Sequence, residues 1–344
     1  MTGATVRGGQ PAGPTGGGTG GLVLAPADTG SRCQAVLDEV GQVVVGKPGA
    51  VRLMLLCILA GGHALVEDLP GVGKTLLART FAAVFGLEFT RVQFTRDLLP
   101  ADLTGAGVYD QRSGEFVFRR GPVFTQVLLA DEINRTPPKT QAALLEAMAE
   151  QQVSVDGRTW PLPAPFVVLA TNNPIEYEGT YPLPEAQLDR FMVRVRLGYL
   201  ASDGEVEMVV RRLDRGTAAF PVARQRVSAE ELLAMRASLE QVAVEADLLR
   251  YVVGLVGATR KHPQVLVGAS PRGTLAIVQL ARARAVLDGR DYVIPEDVKE
   301  VAVPALGHRL SLRPELWVRG VTGDEVVGTI LAGQPVPRAG GARP

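Results

Sequence analysis

Apolar positions along the chain recur with two different periods, and the change from one to the other divides it. A helical rhythm (Val36, Val40, then Val43 to Val45) takes over near Ser31, and an apolar helix is expected from Val51 to Gly61. His63-Ala-Leu-Val-Glu67 reads as a short buried strand ending at a glycine-rich turn, with a helix over Lys74 to Phe85 behind it. Further strands are predicted at Phe89 to Phe94, Val127 to Ala130, Phe166 to Ala170 and Met192 to Leu197, with a helix from about Pro138 to Glu150. Two hairpins interrupt the alternation: Gly107 to Asp110 with Glu115 to Arg119, and Gln152 to Val155 turning at Asp156-Gly157. Strands continuous in apolar residues and separated by helices indicate an α/β fold with a parallel sheet covered on both faces. Past Leu197 the pattern is helical: Glu205 to Arg212, Ala229 to Val242, Ala246 to Lys261, Pro271 to Asp288 and Pro295 to Leu306. The boundary is therefore expected near Tyr199 to Asp203.

Composition adds the ends and the setting. Residues 1–30 hold ten glycines and three prolines with only Arg7 and Asp28 charged, too little apolar surface to offset chain entropy, and read as a disordered tail. The expected organisation is that tail, an α/β core over 31–200 carrying the two hairpin insertions, a helical domain over 201–332, and a loose tail over 333–344. With 344 residues, 46% of them hydrophobic, the chain can bury a sizeable core. Lys and Arg total 36 and Asp and Glu total 36, so the broad basic field of non-specific nucleic-acid or anionic-membrane binders is missing. The longest apolar stretch, Val51 to Val66, is broken by Arg52, a glycine pair and His63, and no membrane segment is expected. Only Cys33 and Cys57 could pair and no signal peptide is recognisable, which points to the cytoplasm.

Asp68-Leu-Pro-Gly-Val-Gly-Lys74-Thr75 lies between a predicted strand and a predicted helix, the context a phosphate-binding loop requires. Gly71 and Gly73 let the backbone turn so that successive N–H groups face phosphate oxygens, with the positive end of the helix dipole behind them. The cradle is assigned to Pro70, Gly71, Val72, Gly73, Lys74, Thr75 and Leu76; Lys74 would reach the β- and γ-phosphates and the Thr75 hydroxyl would ligate Mg2+. The full pattern asks for glycine where Asp68 stands, so that acid must point away from the triphosphate.

Val127-Leu-Leu-Ala-Asp131-Glu132 sets two acids at the carboxyl end of an apolar strand, the edge where α/β sheets bind ligands. Asp131 would hold Mg2+, directly or through water, and Glu132 would orient and deprotonate the attacking water. Thr171-Asn172-Asn173-Pro174 follows the next buried strand, and one of the two asparagines, Asn172 or Asn173, would position the water or the γ-phosphate. Ser270-Pro271-Arg272 reads as a helix start with serine as N-cap. Arginine in a first turn is disfavoured by the dipole, which argues that Arg272 has an anion to satisfy. His63, His262 and His308 lie far from one another, and with only Cys33 and Cys57 besides, no metal-ligand spacing is present.

Together these segments resemble the MoxR family of AAA+ ATPases over about residues 31–332. The resemblance is carried by Gln93 to Gly105, Ala130 to Arg135 with Pro137 and Pro138, Ala170 to Phe191, Ser270 to Arg272, and Leu287 to Tyr292. It implies an AAA+ P-loop core, a parallel sheet flanked by helices, followed by a small all-helical lid. It further implies that Asn173 is the sensor 1 residue, Arg190 the arginine finger acting on a neighbouring subunit's ATP, and Arg272 sensor 2. Val43 to Gly46, with Val45 and Gly46 assigned to the site, would lie near the adenine, although Lys47 stands where relatives usually carry glutamine, and Arg96 replaces a usual proline. The hairpins would be insertions lining one face of a ring and contacting partner or substrate. Within one subunit, Arg190 could instead pair with Asp189 or Glu185.

The function implied is a hexameric, ring-forming Mg-ATPase with ATP and Mg2+ as ligands, remodelling or maturing a protein client or a von Willebrand factor A domain partner. A magnesium-chelatase-like motor subunit is the alternative within the same fold. A nucleic-acid-directed AAA+ motor is a second, against which the zero net charge counts. A small-molecule kinase and an ATP-gated scaffold are further alternatives; Glu132 beside Asp131 and the helical lid favour hydrolysis over the kinase.

Overall fold

A computed structural model of the protein describes residues 24–112, 114–173, 180–216 and 223–337; most of the two expected tails and residues 174–179 of the run from Ala170 to Phe191 lie outside them. The first helix, α1 (Pro26–Val43), starts at Pro26 rather than near Ser31. Residues 26–30, expected in the disordered tail, are instead its first turns, with Pro26 at a position where a missing N–H costs nothing. Thr29 is buried and shares a 2.9 Å hydrogen bond with Ser238, and a Cβ on Gly30 would meet Val286 O at 2.6 Å. Glycine there serves a close helix approach, which composition alone misreads as disorder.

The core follows as α2 (Pro48–Leu59), β1 (Ala64–Glu67), α3 (Lys74–Val84), β2 (Phe89–Gln93), α4 (Pro100–Thr104), β3 (Gly105–Asp110), β4 (Glu115–Arg120), β5 (Val127–Asp131), α5 (Pro138–Glu150), β6 (Gln152–Val155), β7 (Arg158–Pro161), β8 (Val167–Asn172), α6 (Glu185–Leu188) and β9 (Val193–Val195). Five parallel strands form one sheet in the order β2-β5-β8-β1-β9. Side chains alternate across a strand, and the two faces feed two cores. Val127, Leu129, Val167 and Leu169 pack toward α1, α2 and α3, whereas Leu128, Ala130, Val168 and Ala170 pack toward Leu144, Leu145 and Met148 of α5. Each fully buried aliphatic side chain stabilises this sandwich by about 1.5–3 kcal/mol. The single-turn helices α4 and α6 are too short to leave a period in the sequence. The hairpins β3–β4 and β6–β7 form as expected, and Phe118 stacks on Trp160 at 4.7 Å, so the two insertions lean on each other.

The remaining elements are helical apart from one small strand pair: α7 (Ser202–Asp214), α8 (Ala229–Ser238), α9 (Ala246–Lys261), β10 (Val265–Val267), α10 (Pro271–Leu287), α11 (Pro295–Leu306), β11 (Ser311–Leu312) and α12 (Gly323–Gly333). α8 stops at Ser238, short of the expected Val242, and passes into a 3-10 turn. α12 was not expected, although its Thr322 and Glu325 form a capping box ahead of the buried Val326 and Val327. Two charged clusters fasten this helical layer to the core. Arg309 donates to the Asp189 carboxylate, and Arg194 and Arg196 bridge Glu67, at the end of β1, to Asp324 of α12. No helix among the described residues is long and apolar enough to cross a membrane.

Candidate active site

The phosphate loop, the acid pair and the segment with the two asparagines all leave the sheet at one edge, the carboxyl ends of its strands, where parallel α/β sheets open a crevice. The loop after β1 turns through Gly71 at φ 80° and Gly73 at φ 95°, left-handed values that favour glycine. Nothing lies within 4 Å of a Cβ built on either, so conformation rather than space selects glycine here. Gly73 caps α3 and its carbonyl accepts from Leu77 N at 2.9 Å. Lys74 Nζ folds over the loop and donates to Asp68 O at 2.6 Å. The Asp68 carboxylate faces away from the loop, as expected, and accepts from the amides of Leu197 and Gly198 beyond β9.

Across the crevice, β5 ends in Asp131, and Glu132 follows it. Thr171 Oγ1, on β8, donates to Asp131 Oδ1 at 2.6 Å and accepts from Glu132 N at 2.8 Å. Glu132 adopts φ 59°, an uncommon conformation for a residue with a side chain, which costs about 1–3 kcal/mol and is tolerated because its surroundings over-determine it. Its Oε2 accepts from Gln93 Nε2 at 2.6 Å and pairs with Arg135 Nε at 3.1 Å. Arg91 lays Nε and Nη2 on Asp131 Oδ2 at 3.1 and 2.6 Å. Thr171, Gln93 and Arg91 escaped the sequence reading; the available signal was polar residues set in strands beside the acid-bearing one, with Gln93 in register with Asp131.

Lys74, Thr75, Asp131, Glu132 and Asn173 line a single cleft of about 370 Å³ with the phosphate loop. Asn173, 4% exposed, is the asparagine in that cleft; Asn172 turns to the other side and donates to Glu67 Oε1 at 3.5 Å. Among the described residues no group of three or more His, Cys, Asp or Glu side chains could hold a metal alone. The hydroxyl of Thr75 and the carboxylate of Asp131 are hard oxygen donors in the same cleft, a set that suits Mg2+ when phosphate oxygens complete its shell.

A second, mostly apolar slot of about 220 Å³ adjoins the loop. Val43, Val44 and Val45 of the segment expected near the adenine line it, together with Pro70, Gly71, Val72, Gly73 and Leu76 of the loop, residues 197–200 and Met208. Gly46 does not line it. At φ 67° its backbone turns aside against Leu200 and borders a neighbouring hollow instead.

Arg190 and Arg272 lie elsewhere. They share a cleft of about 330 Å³ between core and helical layer, with Arg309, and neither lines the phosphate cleft. Ser270 caps α10 as expected, its Oγ accepting from Arg272 N at 3.0 Å. Pairing of Arg190 with Asp189 or Glu185 is not what forms. Asp189 is held by Arg309 and by Ser270 Oγ at 2.8 Å, Glu185 by Ser311, and Arg190 donates to Leu145 O. His63 and His308 are structural. Burial pushes their pKa values down to about 4 and about 3, and His63 Nδ1 accepts from Val168 N at 3.0 Å, which leaves the ring proton on Nε2 facing Met148 O.

This arrangement agrees with what the chain is similar to. Residues 63–193 match the ATPase family associated with various cellular activities (AAA), and residues 257–330 match an AAA lid domain. Chaperone MoxR1 of Mycobacterium tuberculosis (strain ATCC 25618 / H37Rv) is 44% identical, covering 89% of this chain and 82% of its own. The uncharacterized protein YeaC of Bacillus subtilis (strain 168) is 44% identical over 88% of this chain and 93% of its own. The crystal structure of a Cytophaga hutchinsonii protein assigned as an ATPase superposes with TM-score 0.83 at 42% identity, over 90% of this chain and 96% of that one.

Proposed function

The chain belongs to the MoxR-type AAA+ ATPases and is an ATP hydrolase, and from that premise we propose that it works as a ring, hexameric by our reading, whose ATP cycle with Mg2+ remodels or matures a protein partner. The observation that carries the ring is the separation of the two clefts. Lys74, Thr75, Asp131, Glu132 and Asn173 converge on one, whereas Arg190 and Arg272 sit in another. Arg91 does line the phosphate cleft, but its guanidinium is committed to Asp131. An arginine free to neutralise charge developing on the γ-phosphoryl group then has to come from a second copy, a head-to-tail contact that closes as a ring.

In this reading the amides of the 70–75 loop and Lys74 bind the β- and γ-phosphates, and the adjoining apolar slot takes the adenine. Thr75 and Asp131 would hold Mg2+ together with phosphate oxygens, and the ion would neutralise charge on the leaving group. Glu132 takes the proton of the attacking water and Asn173 orients that water against the γ-phosphate. Gln93 and Arg135 hold the Glu132 carboxylate while it waits.

For the partner we propose a protein carrying a von Willebrand factor A domain, met by the inserted hairpins. The rings of Tyr109 and Phe116 pair at 5.4 Å on the first hairpin and face solvent, Phe116 at 76% exposure. Exposed aromatics of this kind are enriched at protein interfaces. Free, buried thiols at Cys33 and Cys57 suit a cytoplasmic setting.

ATP turnover per subunit, measured with Mg2+ over a wide range of protein concentration, tests the ring. A cooperative rise is expected. Constant, appreciable turnover from a species that sedimentation shows to be monomeric would end the proposal that Arg190 acts between subunits.

A further inference from the structure

The apolar slot beside the phosphate loop owes one wall to residues 197–200, a stretch between β9 and α7 with no secondary structure of its own. Its backbone polar groups therefore need partners from outside the sheet. Two side chains supply them from opposite directions. The buried Asp68 carboxylate accepts from Leu197 N and from Gly198 N, the latter at 2.6 Å, while Lys47 Nζ donates to Tyr199 O at 2.6 Å. Two successive N–H groups thus meet a single carboxylate oxygen, and the chain turns onward at Gly198 with φ 64°. Asp68 opens the phosphate loop and Lys47 continues the opposite wall of the slot, which runs through Val43 and Val45. The wall is thus tied at one end to the phosphate loop and at the other to the segment facing it.

We infer that Asp68 and Lys47 are positioning residues for nucleoside recognition: they hold residues 197–200 at the distance that closes the slot over a purine ring, and so set affinity for the base separately from affinity for the phosphates. The inference rests on the slot being the adenine site, as proposed above. Neither side chain is asked to touch phosphate. Asp68 Oδ2 faces away from the loop interior toward residues 197 and 198, Oδ1 accepts from Leu69 N at 2.9 Å ahead of the glycine turns, and what Asp68 offers Lys74 is only its backbone carbonyl, which any substitution keeps. Charge-assisted hydrogen bonds in a buried setting are roughly twice as strong as neutral ones, and removing the acceptor leaves three amides unpaired, those of Leu197, Gly198 and Leu69. The wall would then relax while the glycine turns of the loop stay as they are.

The experiment is a binding titration with Mg2+ of wild type, Asp68→Ala, Asp68→Asn and Lys47→Met, each against ATP and against inorganic tripolyphosphate. Asp68→Ala is expected to weaken ATP binding on the order of tenfold and Lys47→Met about threefold, with tripolyphosphate affinity changed less than about twofold in both. Asp68→Asn, which keeps one acceptor oxygen, should fall between wild type and Asp68→Ala. Parallel losses for ATP and tripolyphosphate would mean that these residues merely support the loop, and unchanged ATP affinity would mean that the wall needs no holding; either overturns the inference. Lys47→Met carries the decision if Asp68→Ala does not fold, since its change is at the partly exposed end. Wild type that fails to bind ATP at all would instead remove the adenine-site reading itself, a result distinguishable from the other two.

Discussion

Thr171 donates to Asp131 through a 2.6 Å hydrogen bond, and the same oxygen accepts the amide of Glu132 at 2.8 Å. One fully buried hydroxyl therefore aims the acid assigned to the metal and fixes the backbone of the acid assigned to the water. Thr171→Val keeps the shape and removes both bonds, leaving the Glu132 amide unpaired at a cost of about 1–3 kcal/mol. Expressed in the transition state, that amounts to a loss of about ten- to a hundredfold in ATP turnover. Thr171→Ser should recover most of it. Steady-state turnover at saturating ATP measures the effect, and wild-type rates in Thr171→Val would show that the hydroxyl only packs.

Glu132→Gln should bind ATP and hydrolyse it at least about a hundredfold more slowly, the lower end of what a positioned base contributes. Lys74→Ala should instead lose nucleotide binding, because Lys74 lies over the loop that cradles the phosphates. Binding titration beside turnover separates the two. Normal turnover by purified Glu132→Gln protein would contradict the assigned base.

Because Arg190 and Glu132 occupy different clefts, subunits lacking one can supply the other. Arg190→Ala alone should bind ATP normally and turn it over about a thousandfold more slowly. Mixing Arg190→Ala with Glu132→Gln should restore activity, since an interface between an intact Glu132 and a neighbour's intact Arg190 then exists. A mixture no more active than its components would place Arg190's action outside the interface.

His63 and His308 titrate at about 4 and about 3 in the folded protein because burial disfavours the charged ring. An unfolded histidine titrates near about 6.5, so below that pH the unfolded chain binds more protons and is favoured. Stability is complete above about pH 6.5 and declines as pH falls toward 4, by about 2 kcal/mol for each histidine at pH 5. Thermal unfolding followed from about pH 7.5 down to about pH 5 should show a falling midpoint. His63→Asn, though less stable throughout, should show a shallower fall, and an undiminished slope would assign the effect to other groups.

The phosphate loop, the acid pair and the buried strands before them were legible because each is contiguous: a few residues in a row, with glycine where the backbone must turn and apolar runs where a strand is covered on both faces. Gly71, Gly73, Lys74 and Asp131 needed no knowledge of what folds beside them. The choice between Asn172 and Asn173 did need it. Neighbours at a strand end point to opposite sides, and only the position of Glu67 on the adjacent strand, in register with Asn172, shows which of them is turned from the cleft. The early start of α1 was hidden for a similar reason, since Gly30 is a packing residue only once Val286 lies against it.

What the sequence determined by itself is the class of fold and the identity of the phosphate and acid loops, because period, glycine placement and strand-end acids are properties of short segments. Only the tertiary structure decided which polar side chains reach which cleft. Arg91, Gln93 and Thr171 join the acids through strand register, Asp68 meets residues 197 and 198 beyond the neighbouring strand, and Arg190 of the core shares a different cleft with Arg272 of the helical layer. These are contacts between segments far apart in the chain. Their physical cause is the burial that brings strands and helices together, and no local pattern of residue types encodes it.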